Sequence, residues 1–283
     1  MADVKLQPEA EELLEEHKSA EGGKATAHYQ MTDVNDWGQL QTLWDISLEK
    51  FGSIHIVCNG AGIYEPPSSD FWNPPGISQL AEDKADANPG VFKTFAVNTM
   101  APIRLAQLAM DYWLEHREVE GNLLFVASLG AYVHSIQTPL YFASKAAIVS
   151  FVKSMSRLRS ALGIRIAAIC PGAVDTPIFY PDYCRKRVRP DDLTLTAEEC
   201  AGIIMDVLTK SKYGDGNIVQ VMRVGTKEEP DISVREVPLE RLYPTGGPVG
   251  PENHLLEEEE KFIEQLKDKG MRHQDQRVQI DLQ

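Results

Sequence analysis

The chain has 283 residues, of which 43% are hydrophobic, and carries a formal net charge of −14. This length fits one large α/β domain or two small ones, and the hydrophobic content is ample for a core. The negative charge argues against nucleic acid or an anionic membrane as a main partner, and no stretch approaches the roughly 18 apolar residues of a membrane span. Since the N-terminus lacks the apolar region of a secretory signal, we expect a soluble, cytoplasmic protein.

Helices and short apolar strands alternate along the first half of the chain. The patterns predict helices at 8–19, about 35–50 and about 91–117, and strands at 25–31, 54–58 and 123–127. Near-continuous apolar strands alternating with helices indicate a parallel sheet covered on both faces. Residues 64–92, rich in Pro, Asp and Gly, predict a long irregular loop. Within it, Phe71 and Trp72 either cover an apolar substrate or pin the loop down.

The second half continues the same alternation. A helix from Tyr141 to Gly163, apolar on two faces as in a subunit contact, is followed by a strand at 164–170, a helix at 196–209 and a strand at 217–222. Residues 177–195 carry aromatic and basic side chains and are interpreted either as a lid or as a solvated loop. A narrow apolar stripe predicts a helix at 254–269 that docks on the core or on a second subunit.

Ser128, Tyr141 and Lys145 form the most informative pattern. Ser128 ends an apolar strand, and Tyr141 and Lys145 lie one helical turn apart on a shared face. A nearby positive charge favours the phenolate, so we expect the pKa of Tyr141 to be lowered from its usual value of about 10. A tyrosine of this kind passes a proton near neutral pH, and Ser128 is suited to hold the reacting oxygen. The three residues at this spacing occur by chance roughly 0.03 times.

Two turns and one asparagine accompany this pattern. Asn59-Gly60-Ala61-Gly62 follows a buried strand, at the kind of edge where open α/β sheets bind ligands, although an ordinary glycine turn explains it equally. Pro171 to Thr176 break the next buried strand, and Thr176 is placed to donate to a ligand or to cap the next element of the chain. Asn98 inside a helix either bonds backbone or water, or marks a bend that positions water for proton transfer.

The cysteines and other metal-binding residue types show no ligand pattern. Cys58, Cys170, Cys184 and Cys200 are widely spaced and have no histidine at ligand spacing. We therefore predict reduced thiols, with neither disulfides nor a metal site.

These features form one pattern: Asn98, Ser128, Tyr141 and Lys145, with the turns at 59–62 and 171–176. The pattern resembles that of the short-chain dehydrogenase/reductase family, and most of all that of its NAD-linked hydroxyprostaglandin-dehydrogenase-like members. The resemblance implies a Rossmann-like doubly wound parallel sheet. It implies that Tyr141 is the acid/base, that Ser128 bonds the substrate oxygen, that Lys145 binds the nicotinamide ribose and that Asn98 orders a water. It further assigns NAD or NADP contacts to Asn98, Tyr141, Lys145 and the residues Asp33, Val34, Asn59, Gly60, Ala61, Gly62, Pro171, Gly172, Val174 and Thr176.

One departure from the family is also predicted. The first strand, the glycine-rich turn, its helix and the second strand are missing, so the sheet is expected to be N-terminally truncated. We expect the 25–31 strand to lack a neighbour and the 54–58 strand to become an exposed apolar edge prone to association. An incomplete gene model is the first explanation. A decayed or regulatory relative, and a second chain that completes the sheet, are the alternatives.

The resulting hypothesis is an NAD(P)-dependent oxidoreductase that interconverts a secondary alcohol and a ketone. The substrate is expected to be small and apolar, such as a lipid, steroid or polyketide-like ketone of secondary metabolism, and the protein a homodimer or homotetramer. Residues 1–225 would form the Rossmann-like domain and 226–283 a C-terminal extension. The competing hypothesis is a catalytically inactive relative that acts by binding or subunit association.

Overall fold

The computed structural model describes residues 1–19, 25–185, 187–189, 191–238 and 255–271, with the side chains of the last segment described from residue 260 onward. The strands are β1 Ala2–Asp3, β2 Gln30–Met31, β3 Ile56–Asn59, β4 Asn122–Val126, β5 Arg165–Pro171, β6 Asp215–Gly225 and β7 Pro230–Glu236. The helices are α1 Pro8–Glu16, α2 Trp37–Phe51, α3 Lys93–Phe95, α4 Ala101–Glu115, α5 Pro139–Ser154, α6 Leu158–Leu162, α7 Asp182–Arg185, α8 Ala197–Thr209 and α9 Leu255–Lys269.

The main sheet has the order β3-β4-β5-β6-β7, parallel except for the last strand. Ile56 pairs with Asn122, and Asn122 pairs with Arg165, so the carboxyl ends of β3, β4 and β5 meet at one edge. This arrangement confirms the predicted parallel α/β sheet. Strand β7 was not predicted, because charged residues interrupt its apolar ones. Since β7 pairs with β6, residues beyond 225 begin within the main sheet, and the domain boundary at 225 stays a prediction.

Helices cover both faces of this sheet, as the doubly wound arrangement requires. Alternate residues of β5 point to opposite faces: Ile166 and Ala168 pack with α4 and α5, whereas Ala167 and Ile169 pack with α8. All four side chains are almost fully buried. A strand that is apolar on both faces reads in the sequence as an uninterrupted apolar run, which is why it was predicted correctly.

The small second sheet corrects one expectation. Gln30 and Met31 pair in parallel with Ala2 and Asp3, so the strand predicted at 25–31 does have a neighbour, supplied by the first residues of the chain. The strand is also shorter than predicted. Only two pairs of residues are in register, and the expectation that this strand would be unpaired is therefore wrong.

Strand β3 is the end strand of the main sheet, as predicted. Its burial alternates, with Val57 and Asn59 buried, Cys58 exposed and Ile56 51% exposed. Within the described ranges, β3 pairs on one side only, with β4. The strand therefore presents apolar side chains and free backbone groups along one edge.

Several helix ends follow from local chemistry. The Asp36 side chain accepts hydrogen bonds from two amides of the first turn of α2, and Gly52 ends that helix at φ 75°. Thr196 and Glu199 form a reciprocal capping box at α8. The helix predicted from Tyr141 to Gly163 is divided into α5 and α6 by a turn at residues 155–157, and Gly163, at φ 75°, ends α6.

Helix α9 packs on the body of the protein rather than standing free. It contacts α6, and Leu266 and Met271 pack against the core. Of the two predicted docking partners for this helix, the core is the one observed. None of the helices in the described ranges combines the length and apolar character needed to cross a membrane.

Candidate active site

The predicted cluster lies where β3, β4 and β5 end. Ser128 follows β4 by two residues and accepts a hydrogen bond from Gly130 N (3.0 Å), which begins a 3₁₀ turn at Leu129–Ala131. This bond holds the Ser128 hydroxyl beside the Tyr141 phenol, near enough to lower the pKa of that phenol. A Cβ atom on Gly130 would lie 3.2 Å from the Tyr141 ring, a tight contact that the absence of a side chain avoids.

Tyr141 and Lys145 lie on one face of α5, as the spacing predicted. Both are buried, and the Lys145 Nζ lies 5.9 Å from the centroid of the Tyr141 ring. The ammonium donates a hydrogen bond to Val126 O at the end of β4 (3.0 Å), which ties the helix to the strand. Burial lowers the pKa of Lys145 to about 8.

The expected lowering of the Tyr141 pKa is wrong for this structure. Burial, assisted by the nearby Tyr64 and Cys170, raises the pKa of Tyr141 to about 12, and the hydrogen bond from Ser128 opposes this only in part. The free-energy cost of removing the phenolate from water is larger than the stabilisation that the neighbouring groups provide. Lys145 is directed at the Val126 carbonyl, so its charge stabilises a backbone oxygen rather than the phenolate.

Asn98 lies in a π-helical turn, Ala96–Met100, between α3 and α4. Its side chain accepts from Ile63 N (2.9 Å) and donates to Ile63 O (2.9 Å) and to Ser144 Oγ (3.1 Å). The interpretation as a residue that bonds backbone is therefore confirmed, and the helix is also irregular at this point. π-turns frequently mark functional positions. Asn98 connects the turn after β3 to α5, next to Lys145.

The turn at 59–62 has features that suit a polar ligand. Asn59 Nδ2 is buried and has no hydrogen-bond partner in the described part of the chain. Gly60 and Ala61 are exposed, and a Cβ atom on Gly62 would lie 3.5 Å from both Asn98 Oδ1 and Lys145 Nζ. A buried donor without a partner is costly unless a ligand accepts from it. The residues present therefore fit the predicted nucleotide cofactor on this side of the cluster.

Asp33 and Val34 follow β2, in the second sheet. The Asp33 carboxylate accepts from the backbone and side-chain amides of Asn35 (3.0 and 2.9 Å), while Asn35 Oδ1 is buried without a partner in the described ranges. The carboxylate thus stabilises its own turn. The structure does not join these two residues to the Tyr141 cluster.

Pro171 is the last residue of β5 and pairs with Val221, so the strand runs one residue further than predicted and the turn begins at Gly172. Gly172 N donates to Val221 O (2.8 Å), which pins the turn to β6, and Val174 pairs with Leu195 in an isolated bridge. Thr176 Oγ1 donates to Val174 O (3.3 Å) and makes no cap to the following 3₁₀ turn, so the capping alternative is wrong.

Two neighbours of Tyr141 were not identified from the sequence. The Tyr64 ring lies 4.4 Å from the Tyr141 ring, and the Glu65 carboxylate accepts from Tyr141 N (2.6 Å). Both directly follow the glycine turn, but a Tyr-Glu pair carries no recognisable signal without knowledge of what it faces.

The aromatic and basic loops approach the same region. Arg187 lies over the Tyr64 ring, 5.2 Å from its centroid. Trp72 Nε1 donates to Ile136 O (2.7 Å), so Trp72 pins its loop to the segment before α5, and both Phe71 and Trp72 are half exposed. In the described ranges, no group of His, Cys, Asp or Glu side chains is arranged to hold a metal ion.

Comparison with known proteins gives consistent results. The chain is 28% identical over 195 residues to 1-deoxy-11-beta-hydroxypentalenate dehydrogenase of Streptomyces exfoliatus, covering 69% of this chain and 65% of that protein. It is 30% identical over 150 residues to 15-hydroxyprostaglandin dehydrogenase [NAD(+)] of Bos taurus, covering 52% of this chain and 48% of that protein. The chain thus spans about half to two thirds of the length of these relatives.

A solved structure and a family model complete the comparison. A short chain dehydrogenase from Bacillus anthracis superposes with a TM-score of 0.54 at 20% identity, covering 77% of this chain and 82% of that one, which shows a shared fold. The model described as short chain dehydrogenase matches residues 3–183. This match covers more than half of the chain, and the chain therefore belongs to the short-chain dehydrogenase family.

Proposed function

We propose that this protein is an NAD(P)-dependent oxidoreductase that interconverts a secondary alcohol and a ketone, with Tyr141 as the acid/base. The observation that carries the proposal is the cluster of half-buried Ser128 with buried Tyr141 and Lys145, beside a glycine turn with an unpartnered Asn59 amide. The relatives support it, since both are named as dehydrogenases of hydroxylated compounds.

Each side chain of the cluster has a distinct role in this proposal. Tyr141 exchanges a proton with the substrate oxygen, and Ser128, held by Gly130 N, donates to that oxygen and stabilises its charge. Lys145 and Asn98, which border Gly62, are suited to bind the hydroxyls of a ribose. When bound, NAD(P) supplies or accepts the hydride. Because burial raises the pKa of Tyr141, the tyrosine is protonated at neutral pH and suited to donate a proton to a ketone.

The cofactor-binding assignments extend to both turns. We propose that Asn59, Gly60, Ala61 and Gly62 contact the adenosine side and that Pro171, Gly172, Val174 and Thr176 contact the nicotinamide side. The unpartnered amide of Asn59 supports the first assignment. Asp33 and Val34, near the unpartnered Asn35 carbonyl, are proposed to contact the adenine. NAD and NADP both remain candidates.

The substrate side is proposed to be apolar. The rings of Tyr64 and Phe179 lie 5.6 Å apart, next to Tyr141, and offer an apolar surface beside the phenol. A small hydrophobic alcohol or ketone suits this surface better than a sugar, which needs several polar partners. A homo-oligomeric state and a cytoplasmic location stay predictions.

The test replaces the Tyr141 phenol by phenyl. Tyr141→Phe should lower turnover of a panel of cyclic and aliphatic ketones about 10²–10⁴-fold, the usual contribution of a general acid. Tyr132→Phe is the matched control, because its hydroxyl bonds Gln220 (3.2 Å) on β6 rather than the cluster. Turnover is followed by oxidation of NADH and of NADPH. Equal activity of the two variants and of wild type would refute the assignment of Tyr141.

A second candidate is a non-catalytic member of the family that acts by binding. It is favoured by one observation, the bond from Lys145 to Val126 O, which turns the ammonium away from activating Tyr141. Calorimetry with NADH and with NADPH separates the two proposals. Binding with a saturable heat supports the oxidoreductase, whereas no binding of either nucleotide supports the non-catalytic protein.

A further inference from the structure

The carboxylate of Glu65 is buried at the start of the helix that carries Tyr141. Glu65 is only 2% exposed, and its backbone has a φ of 27°. Among the described residues, this is the one positive φ at a residue other than glycine. Backbone of this kind is strained and persists only where the surroundings enforce it. A buried acid on a strained backbone therefore needs an explanation in its contacts.

Both carboxylate oxygens of Glu65 accept hydrogen bonds from backbone amides. Oε2 accepts from Tyr141 N (2.6 Å), and Oε1 accepts from Phe71 N (3.2 Å). Burial raises the pKa of the Glu65 carboxyl, while bonds from the Tyr141, Phe71 and Leu140 amides act in the opposite direction. The acid thus holds the aromatic loop at 64–92 with one oxygen and the first turn of α5 with the other.

The start of α5 requires such an acceptor. Thr138 occupies the N-cap position but its side chain makes no capping bond, and Pro139 has no amide to donate. The amides of the first turn have no partner within a helix, and a negative charge at this end is favoured by the helix dipole. Glu65, distant in sequence, supplies the cap that Thr138 does not.

The residue before Glu65 contacts the other end of Tyr141. The Tyr64 ring packs at 4.4 Å from the Tyr141 ring, and the Tyr64 hydroxyl lies 3.5 Å from Thr138 Oγ1. Neighbouring residues of one loop therefore hold both the backbone amide and the ring of Tyr141.

We propose that Glu65 is a positioning residue for Tyr141. Its carboxylate joins the loop at 64–92 to the first turn of α5, so that the phenol keeps its place beside Ser128 only while this loop is docked. The inference rests on the proposed role of Tyr141 for its catalytic consequence, but not for its structural one.

The test compares Glu65→Gln with wild type by NMR of the full chain. Glutamine has nearly the same size but only one acceptor oxygen, so it cannot accept from both amides. Loss of the bond to a charged acceptor should speed amide exchange at Tyr141 about 10- to 100-fold. Because Tyr64 then repacks, the Tyr141 ring resonances should also shift, while the amides of Val149 and Val152, later in α5, keep their protection.

Asp83→Asn is the matched control. Asp83 lies in the same loop and accepts from Lys93 N (2.9 Å), at the start of α3 rather than of α5. This variant should speed exchange at Lys93 and leave both the Tyr141 amide and its ring resonances unchanged. The control thus separates the bond to α5 from a general loosening of the loop.

Activity gives a second readout. Glu65→Gln should lower kcat about tenfold or more and leave the KM for NADH unchanged. Asp83→Asn should leave both kcat and the KM for NADH unchanged. If wild type shows no hydride transfer, the proposed function fails, and the Tyr141 resonances still decide the inference. Unchanged exchange at Tyr141, or faster exchange with unmoved ring resonances, overturns it.

Discussion

Lys145→Met offers the sharpest test of the electrostatics of the cluster. Burial lowers the pKa of Lys145 from its ordinary value of 10.5 to about 8, and the side chain is only 5% exposed. At about 1.4 kcal/mol for each pKa unit, the buried ammonium costs about 3 kcal/mol near neutral pH. Methionine has a similar length and no charge, so it removes this cost. It also removes the bond to Val126 O, which contributes about 1–3 kcal/mol while the ammonium is charged.

The sign of the pH dependence follows from proton binding. Between pH 8 and 10.5 the unfolded chain holds a proton on Lys145 that the folded chain has released, so this group makes wild type more stable as the pH rises. Burial raises the pKa of Cys170 to about 12, and that thiol acts in the opposite sense. The prediction is therefore made on the difference between variant and wild type, in which the groups that do not interact with Lys145 cancel.

Urea unfolding followed by tryptophan fluorescence provides the assay. Relative to wild type, Lys145→Met should be equally or more stable at pH 7 and should lose about 2–3 kcal/mol of that relative stability by pH 10. Lys50→Met, at an exposed lysine in the last turn of α2, is the control and should show no such change. A constant difference between Lys145→Met and wild type across this range would refute the assignment of a buried ammonium.

Three further predictions concern other parts of the structure. Ser128→Ala should slow hydride transfer, followed by cofactor absorbance, about 10²–10³-fold. It should also lower the free energy of unfolding, measured from urea midpoints, by about 1 kcal/mol. An unchanged rate of hydride transfer would contradict the proposed role of Ser128. Gly121→Ala would drive a Cβ atom into the Trp113 ring and should lower the free energy of unfolding by about 1–3 kcal/mol in urea, unlike Gly202→Ala, whose Cβ meets nothing within 4 Å. Ile56→Lys should weaken concentration-dependent association in sedimentation velocity; identical association of the variant and wild type would show that this edge is not an interface.

Much of the fold followed from patterns that are local in sequence. The continuous apolar run of β5 and the helical spacing of α2 each predicted the correct element. A strand buried on both faces gives an uninterrupted apolar run, and a helix buried on one face gives apolar residues at helical spacing. Strand β7 was missed, since its partner β6, rather than its own composition, stabilises it. The pairing of β2 with the first residues of the chain was missed for the same reason.

Three side chains of the candidate site were predicted to lie together, but their electrostatics were not predicted. Ser128, Tyr141 and Lys145 were identified from spacing alone, and the structure brings them to one place, whereas Tyr64 and Glu65 were not identified. The spacing also suggested a lowered Tyr141 pKa, whereas burial raises it. Spacing along the sequence indicates which side chains share a helix face. The free-energy cost of desolvating a charged side chain, and therefore its pKa, depends on everything packed around it.

The sequence by itself determined the alternation of the main strands and helices, the pattern of Ser128, Tyr141 and Lys145, and the family. Only the tertiary structure decided what those side chains bond: Lys145 the carbonyl of Val126, Asn98 both backbone groups of Ile63, and Glu65 the amide of Tyr141. Hydrophobic periodicity is a property of neighbouring residues and is visible in the sequence. Hydrogen-bond partners and burial arise between residues far apart in the chain, so they exist only once the sheet has brought the ends of its strands together.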